Sequence, residues 1–568
     1  MKNIFYLILF IANLTFSQGD ASLGKDYPTN YFRNPMDIPM YLSGTFGELR
    51  GNHFHAGLDI KTEQREGLKV YTAAAGYVSR IKISTWGYGK AIYITHPNGY
   101  TTVYAHLKKF NKRIEDYIKK QQYKKESFEI QLFPSASTLP ISKDEMIAYS
   151  GSTGGFVGPH LHFEIRDTKT EKPINPMLFG ITVNDSKKPR INTLIGYTLS
   201  DNSHINKIGN KHQISLYKSK NGDLVSKKIN AFGAISFGIN AYDQLDGAYN
   251  KNGLYSLKML VNGKKVHEFI AESFSFYETR YINLLIDYER YSTLNQRIQK
   301  CFIEPLNKLS MYNSNSKGII NIKDSLTYNV EIVAKDFKGN IQKVKIPIVG
   351  KKDVTIVKKE EKTTPYKINY KEYKKITKNG VTVTFPSYSF FQDFYLDFKV
   401  EDSIAYIHKP IYPLHKRFTV SFNVSKYSEV EKKKMYIAYF NSKNKASFEP
   451  TTKEGNIFYT STRSLGKYGL LSDTKKPTVI PSNFKNEQWL TNFKTLKVKI
   501  ADYESGIKSY RGEIDGKWIL MEYNVKLGLL TYNLSDRKFE TAKHNLKVVV
   551  TDNVGNTTTI NRTFYRKK

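Results

Sequence analysis

The sequence predicts a mainly β chain of several successive modules. Three observations carry this. Tyr, Phe, Ile and Val recur in short alternating runs, as strands with one buried face require. Asn-Gly, Asp-Gly and Gly-Asn pairs separate those runs, and such pairs close hairpins. A pattern of landmarks also occurs twice, far apart in the chain. A length of 568 residues corresponds to roughly three to five domains.

The first residues read as an export signal over 1–17. Lys2 supplies one positive charge, and Ile4 to Phe16 is an apolar run too short to span a bilayer. Thr15 and Ser17 are small residues at the −3 and −1 positions of a cut before Gln18. No later stretch is long and apolar enough to cross a membrane, so the mature chain is expected in the periplasm, the cell envelope or outside the cell. Cys301 is the only cysteine, so no internal disulfide supports the exported fold. It is expected to be a buried small hydrophobe.

Residues 18–184 form the next unit, rich in Gly, His and short strands. Within it, residues 111–125 have helical composition and few apolar positions, which predicts a solvated helix or surface excursion. The repeat follows. Asp185-Ser-Lys-Lys-Pro189 matches Asp473-Thr-Lys-Lys-Pro477, and each leads to an Ala-Tyr-Asp or Ala-Asp landmark, at Asp243 and Asp502. Each copy closes on an Asp-to-Asn turn, Asp336 to Asn340 and Asp552 to Asn556. These copies, 185–350 and 473–568, resemble bacterial immunoglobulin-like β-sandwich modules. Between them lie a charge-rich linker, 351–364, and a third β-rich module, 365–472.

Lys and Arg total 87 against 52 Asp and Glu, a formal net charge of +35. Such a surface is drawn to polyanions. For an exported protein these are cell-wall polymers, anionic lipids or extracellular nucleic acid. No nucleic-acid-binding motif accompanies the charge, so nucleic acid is not an expected partner.

Chemistry concentrates in the histidines of the first unit. His53-Phe-His55-Ala-Gly-Leu-Asp59 comes first, then Tyr104-Ala-His106, then Gly158-Pro-His160-Leu-His162-Phe-Glu164-Ile-Arg166. His-x-His on a strand puts both imidazoles on one face and sends Leu161 and Phe163 to the other. His55, Asp59 and one histidine of the 160/162 pair make the three protein ligands of a catalytic zinc. His106 and the remaining histidine are then placed to move protons or stabilise an oxyanion. Spacing alone does not choose between His160 and His162. His53 reads as a residue behind the ligands or a structural one, Glu164 as support behind His162, His96 as a turn residue and Arg166 as a pairing residue.

These motifs resemble peptidase family M23, the lysostaphin-like and LytM-like zinc endopeptidases. His55-x-x-x-Asp59, Tyr104-x-His106 and His160-x-His162 fit its pattern in order. So do Gly87-Tyr-Gly89, His96-Pro-Asn-Gly-Tyr100 and Gly151-Ser-Thr-Gly154. The resemblance covers about residues 46–166. It implies an antiparallel β-sheet groove with one Zn²⁺ at its floor, bound by His55, Asp59 and His162, and His106 and His160 as catalytic histidines. It further implies an exported endopeptidase acting on stem or cross-link peptides of peptidoglycan. A secreted peptidase for Gly-rich proteins and a non-catalytic envelope scaffold that activates another cell-wall hydrolase are the alternatives. The immunoglobulin-like modules are expected to act as spacers or to bind an envelope protein. Two departures from the family stand out. The stretch from Lys108 to Lys143 is longer than in compact members, so a flap or an insertion is expected to shape the groove, and Phe156 stands where it can line a substrate subsite.

Overall fold

The computed structural model describes residues 26–567 except 156, 157, 315, 359 and 361. The expected export signal and Phe156 lie outside the described residues. Among the described residues, no helix is long and apolar enough to cross a membrane.

The first unit is built on one antiparallel sheet. Its strand order is Leu42–Gly44, Leu58–Lys61, His160–Asp167, Tyr100–Ala105, Lys90–Thr95, Gly76–Ile83 and Ile130–Leu132. A smaller sheet of Lys69–Tyr71, Met146–Ser150 and Leu107–Phe110 packs beside it. The core between them includes Leu58, Ile60, Tyr104, Leu107, Leu161, Phe163 and Ile165, all fully buried. Two neighbouring strands place the chemistry. His160–Asp167 lies between Leu58–Lys61 and Tyr100–Ala105, and its register sets His162 opposite both Asp59 and Ala105.

The helix Lys112–Lys125 starts at Asn111, whose side chain accepts from the Ile114 amide. Glu115 in its first turn and Lys124 and Lys125 in its last complement the helix dipole. It is not a solvated excursion. Ile114, Ile118 and Gln122 form a buried stripe at four-residue spacing. Its polar residues meet the C-terminal module: Lys119 pairs with Asp536 at 2.8 Å, and Glu126 with Arg511 at 2.8 Å. Nor does the stretch from Lys108 to Lys143 form a flap over the groove. Its strand Ile130–Leu132 extends the sheet at the edge opposite Leu42–Gly44.

The next unit runs from Arg190–Thr198 to Ile341–Gly350, around the long strand Ile229–Tyr242. Its core takes in Phe46, Phe54 and Ala56 from the first unit. Phe54 packs on Phe269 and Phe274, its amide donates to Thr279 Oγ1 at 3.0 Å, and Asn283 Nδ2 donates to Asn52 at 2.9 Å. The hairpin from Leu49 to Phe54 is thus seated in a neighbouring core, and residue 55 follows directly. Phe54→Ala is expected to cost ~3–5 kcal/mol of stability, read as a lower urea midpoint. An unchanged midpoint would mean the hairpin is not held there. Cys301 is buried in the same core, and burial pushes its thiol pKa up, away from reactivity.

The charge-rich stretch 351–364 is tied to its neighbours. Lys351 donates to the Ala231 carbonyl, Val357 exchanges backbone bonds with Lys207 and Gly209, and Thr364 Oγ1 donates to the Leu396 carbonyl. Two five-stranded sheets then enclose a core of Val383, Phe398, Phe418, Ile437 and Tyr468. The last unit has a four-stranded and a five-stranded sheet around Leu496, Val498, Ile514, Leu530, Val548 and Phe564. It also returns to the first unit. Leu520 joins the first core, Lys90 pairs with Glu522 at 2.8 Å, and Lys526 Nζ donates to the Ser152 carbonyl at 2.9 Å.

Candidate metal and catalytic site

Five side chains from three segments meet on one face of the first sheet. His55, Asp59, His106, His160 and His162 are exposed by only 2, 1, 5, 3 and 3%. Strand alternation accounts for part of this: His160, His162 and Glu164 share one face while Leu161, Phe163 and Ile165 enter the core. Gly57 lets the segment between His55 and Asp59 lie close against the central strand. A Cβ there would stand 2.2 Å from the Phe163 carbonyl oxygen.

Three atoms converge. His55 Nε2 lies 3.0 Å from Asp59 Oδ1 and 3.0 Å from His162 Nδ1, and His162 Nδ1 lies 2.9 Å from Asp59 Oδ1. The other nitrogen of each ring is engaged behind this point. His55 Nδ1 donates to the Thr45 carbonyl at 2.8 Å, and His162 Nε2 donates to Glu164 Oε1 at 2.7 Å. Those bonds turn a lone pair of each imidazole toward Asp59. Three acceptors so close together require a proton or a cation among them. His55, Asp59 and His162 accordingly form a group that can hold a metal ion. Two imidazoles and one carboxylate are a donor set suited to zinc, with a fourth position left for water.

The metal-free electrostatics express the same need. Burial pulls the His162 pKa down, but bonds and charge from Asp59 and Glu164 outweigh it and lift it to about 9. Burial would raise the Asp59 pKa, yet His55 and His162 hold it well below its ordinary value. His55 is lowered, chiefly by burial.

His106 and His160 sit beside the three. His106 follows its strand with a left-handed φ of 59°. Its Nδ1 donates to the Thr153 carbonyl at 2.8 Å, and its ring centre is 4.7 Å from that of His160. His160 Nδ1 donates to the Gly158 carbonyl at 3.1 Å, and its Nε2 is 3.7 Å from Asp59 Oδ1. Burial, then the neighbouring charges of His162 and His160, lowers the His106 pKa to about 3. His160 is lowered too, chiefly by burial. Both rings are therefore neutral at pH 7, each with its proton on Nδ1 and its Nε2 able to accept another.

Charged and phenolic groups lie behind the ligands. Glu164 receives Arg166 Nε at 2.6 Å and the Tyr88 hydroxyl. Burial would raise the Glu164 pKa, but the Arg166 charge and His162 hold it at about 2, so it stays a carboxylate. Arg50 Nη2 meets the second oxygen of Asp59 at 2.6 Å. Glu48 lies 3.7 Å from Arg50, and burial raises its pKa to about 7.

Sequence reading reached Glu164 and Arg166 in these positions. It missed Arg50, Glu48 and the role of Tyr88. Arg50 and Glu48 reach Asp59 through a hairpin no spacing reveals. Tyr88 did carry a signal, the flanking glycines. Gly89 has φ of 63°, and a Cβ there would stand 2.4 Å from Thr153 Oγ1, so the loop that holds His106 packs against a bare backbone. His53 is exposed, its Nδ1 bonded to the Gly51 carbonyl at 2.8 Å. His96 is a buried turn residue, linked to the Ala75 carbonyl and Thr102 Oγ1 at 2.8 Å each.

Residues 53–123 match peptidase family M23, and residues 365–473 match a Zu5-like domain. The chain is 32% identical over 123 residues to the DD-carboxypeptidase/endopeptidase Mpg of Neisseria meningitidis, covering 22% of each chain. It is 30% identical over 169 residues to the peptidoglycan DD-endopeptidase ShyA of Vibrio cholerae, covering 29% of this chain and 33% of that one. The chain thus spans a third or less of the length of these curated relatives. Among solved structures, the catalytic domain of lysostaphin from Staphylococcus simulans is similar at 21% identity and a TM-score of 0.19, over 25% of this chain and 93% of that one.

Proposed function

We propose that this protein, whose residues 53–123 match peptidase family M23, is an exported zinc metalloendopeptidase that hydrolyses peptide cross-links of bacterial peptidoglycan. One observation carries the reading: His55 Nε2, Asp59 Oδ1 and His162 Nδ1 lie within 3.0 Å of one another with their lone pairs turned inward. We assign these three as the zinc ligands, one ion per domain.

A zinc ion bound there supplies a Lewis acid and a water of lowered pKa. The chain's own residues supply the rest. His106 and His160 each hold Nδ1–H on a backbone carbonyl and offer a neutral Nε2. One takes the proton of the attacking water, and an imidazole so protonated returns a proton to the leaving amine. The same rings donate to the oxyanion when charged. Arg50 fixes the second oxygen of Asp59, and Glu164 fixes the orientation of His162. The modules of the repeat are read as immunoglobulin-like spacers or as docking sites for an envelope protein partner. The basic surface suits an anionic wall.

Zinc affinity will depend on pH in a defined way. Without metal, His162 is lifted to about 9 and keeps both protons at neutral pH. A metal on Nδ1 must displace one of them. His55 is held below its ordinary 6.5 and stays neutral above that pH. From pH 6.5 to about 9, affinity therefore rises roughly tenfold per unit of pH. Competitive zinc titration against a chromophoric chelator measures the slope, and a flat profile contradicts the ligand assignment.

The substrate is tested by offering zinc-loaded protein intact sacculi or a soluble glycine-rich protein. Release of cross-link fragments from sacculi alone is expected. Cleavage of only the soluble protein would favour the secreted-peptidase alternative, and cleavage of neither the scaffold alternative.

A further inference from the structure

The two copies of the internal repeat share more than a sequence pattern. In each, three aspartates from distant positions converge: Asp185, Asp243 and Asp336 in the first, Asp473, Asp502 and Asp552 in the second. The ligand atoms within each trio lie within 4.8 Å of one another. The six residues occupy corresponding landmarks of the repeat.

The scaffold around each trio is the same. Asn340 Nδ2 donates to the Asp185 carbonyl at 3.2 Å and to Asp336 Oδ2 at 2.8 Å, and its backbone amide donates to Asp336 Oδ1 at 2.9 Å. Asn556 Nδ2 donates to the Asp473 carbonyl at 3.0 Å and to Asp552 Oδ2 at 2.7 Å, and its amide donates to Asp552 Oδ1 at 2.8 Å. These bonds leave the charge of the trios unneutralised. The lysines that follow the first aspartates go elsewhere, Lys187 to Asp246 at 4.0 Å and Lys475 to Glu504 at 2.5 Å.

Buried polar atoms beside the trios also await a partner. Asp243 is 3% exposed, and its Oδ1 has no hydrogen-bond partner. Asn252 is 2% exposed, and neither atom of its side-chain amide is bonded. Asp243 and Asn252 exchange backbone hydrogen bonds of 3.0 and 2.9 Å, so their side chains project from the same face. In the second copy Ser505 is 1% exposed. Its amide donates to Asp473 Oδ2 at 3.1 Å while its Oγ is unpaired. An unpaired oxygen in such a place costs free energy until something ligates it.

We propose that each repeat copy binds one calcium ion, held by Asp185, Asp243 and Asp336 in the first and by Asp473, Asp502 and Asp552 in the second. The chemistry selects the ion. Every donor is oxygen, with no imidazole or thiolate in either trio, which favours a hard cation over zinc. Carboxylates, the Asn252 amide oxygen and the Ser505 hydroxyl suit the flexible, many-oxygen shell of calcium better than the small octahedral shell of magnesium.

Their placement gives the ions a task. Asp185 lies where the chain leaves the M23 domain, and Asp473 where it leaves the Zu5-like domain. Each ion would fasten an entering segment to the turn that closes the module it enters. Calcium at envelope concentrations would then set the angle at both junctions.

Equilibrium dialysis of the zinc-loaded full chain against radioactive calcium, up to the millimolar range typical of extracellular sites (~10⁻⁴–10⁻³ M affinity), tests this. Two calcium ions per chain are expected. Asp243→Asn and Asp502→Asn should each leave one, and the double variant none, with zinc content unchanged at one. Wild-type binding below two, or calcium binding that survives the double substitution, overturns the proposal. So does a zinc content above one that falls with these variants. The wild-type count decides the matter even if a variant fails to fold.

Discussion

His55→Ala is expected to remove metal binding and hydrolysis together, with zinc content falling from one per chain to none. The geometry dictates the severity. Of the three proposed ligands, His55 is the one whose position depends on two units at once. Its Nδ1 is anchored on Thr45, and the residue before it, Phe54, is buried in the adjoining core. Removing the ring leaves Asp59 and His162 facing each other at 2.9 Å, which a shared proton satisfies without any metal. The loss should far exceed that of Glu164→Gln, which disturbs only the support behind His162 and is expected to weaken zinc by ~10–100-fold. Zinc content by mass spectrometry, beside hydrolysis rates, checks the order. A His55→Ala protein that retains stoichiometric zinc would require another ligand set.

His106→Ala is expected to retain zinc but lose most turnover, by the ~10²–10⁴-fold typical of a lost acid–base group. His106 stands beside the three converging atoms, its ring centre 5.9 Å from that of His162. Its Nδ1 is spent on Thr153, and its depressed pKa keeps the ring neutral. Its removal should therefore lower kcat and leave zinc affinity nearly unchanged. Because the pKa is held near 3, activity should not decline as His106 titrates anywhere above about pH 4. Acid loss of activity at higher pH reports zinc release instead. Full activity in His106→Ala would reassign its role to His160 alone.

Legibility in the sequence followed locality. Side-chain alternation is a property of a single strand, so His160-x-His162, with Leu161 and Phe163 turned inward, could be read without a structure. His55 and Asp59 were likewise marked by a short spacing. Arg50 and Glu48 were not, because their approach to Asp59 depends on how a hairpin sits on a different unit. The helix Lys112–Lys125 shows the same limit from the other side. Its Ile114 and Ile118 stripe is narrow, and its many charged residues read as solvated. Asp536 and Arg511, more than 380 residues away, are what meet them. The repeat was visible as matched landmarks. That its aspartates converge became apparent only once the strands were paired.

The most direct test of the account is release of soluble peptides from purified peptidoglycan, followed by mass spectrometry. It compares protein as loaded with zinc, after chelation, after zinc is restored, and as the His160→Ala variant. The account predicts cross-link fragments from the loaded and restored protein, and none from the chelated protein or the variant. Release that persists after chelation, or undiminished release by His160→Ala, would contradict it.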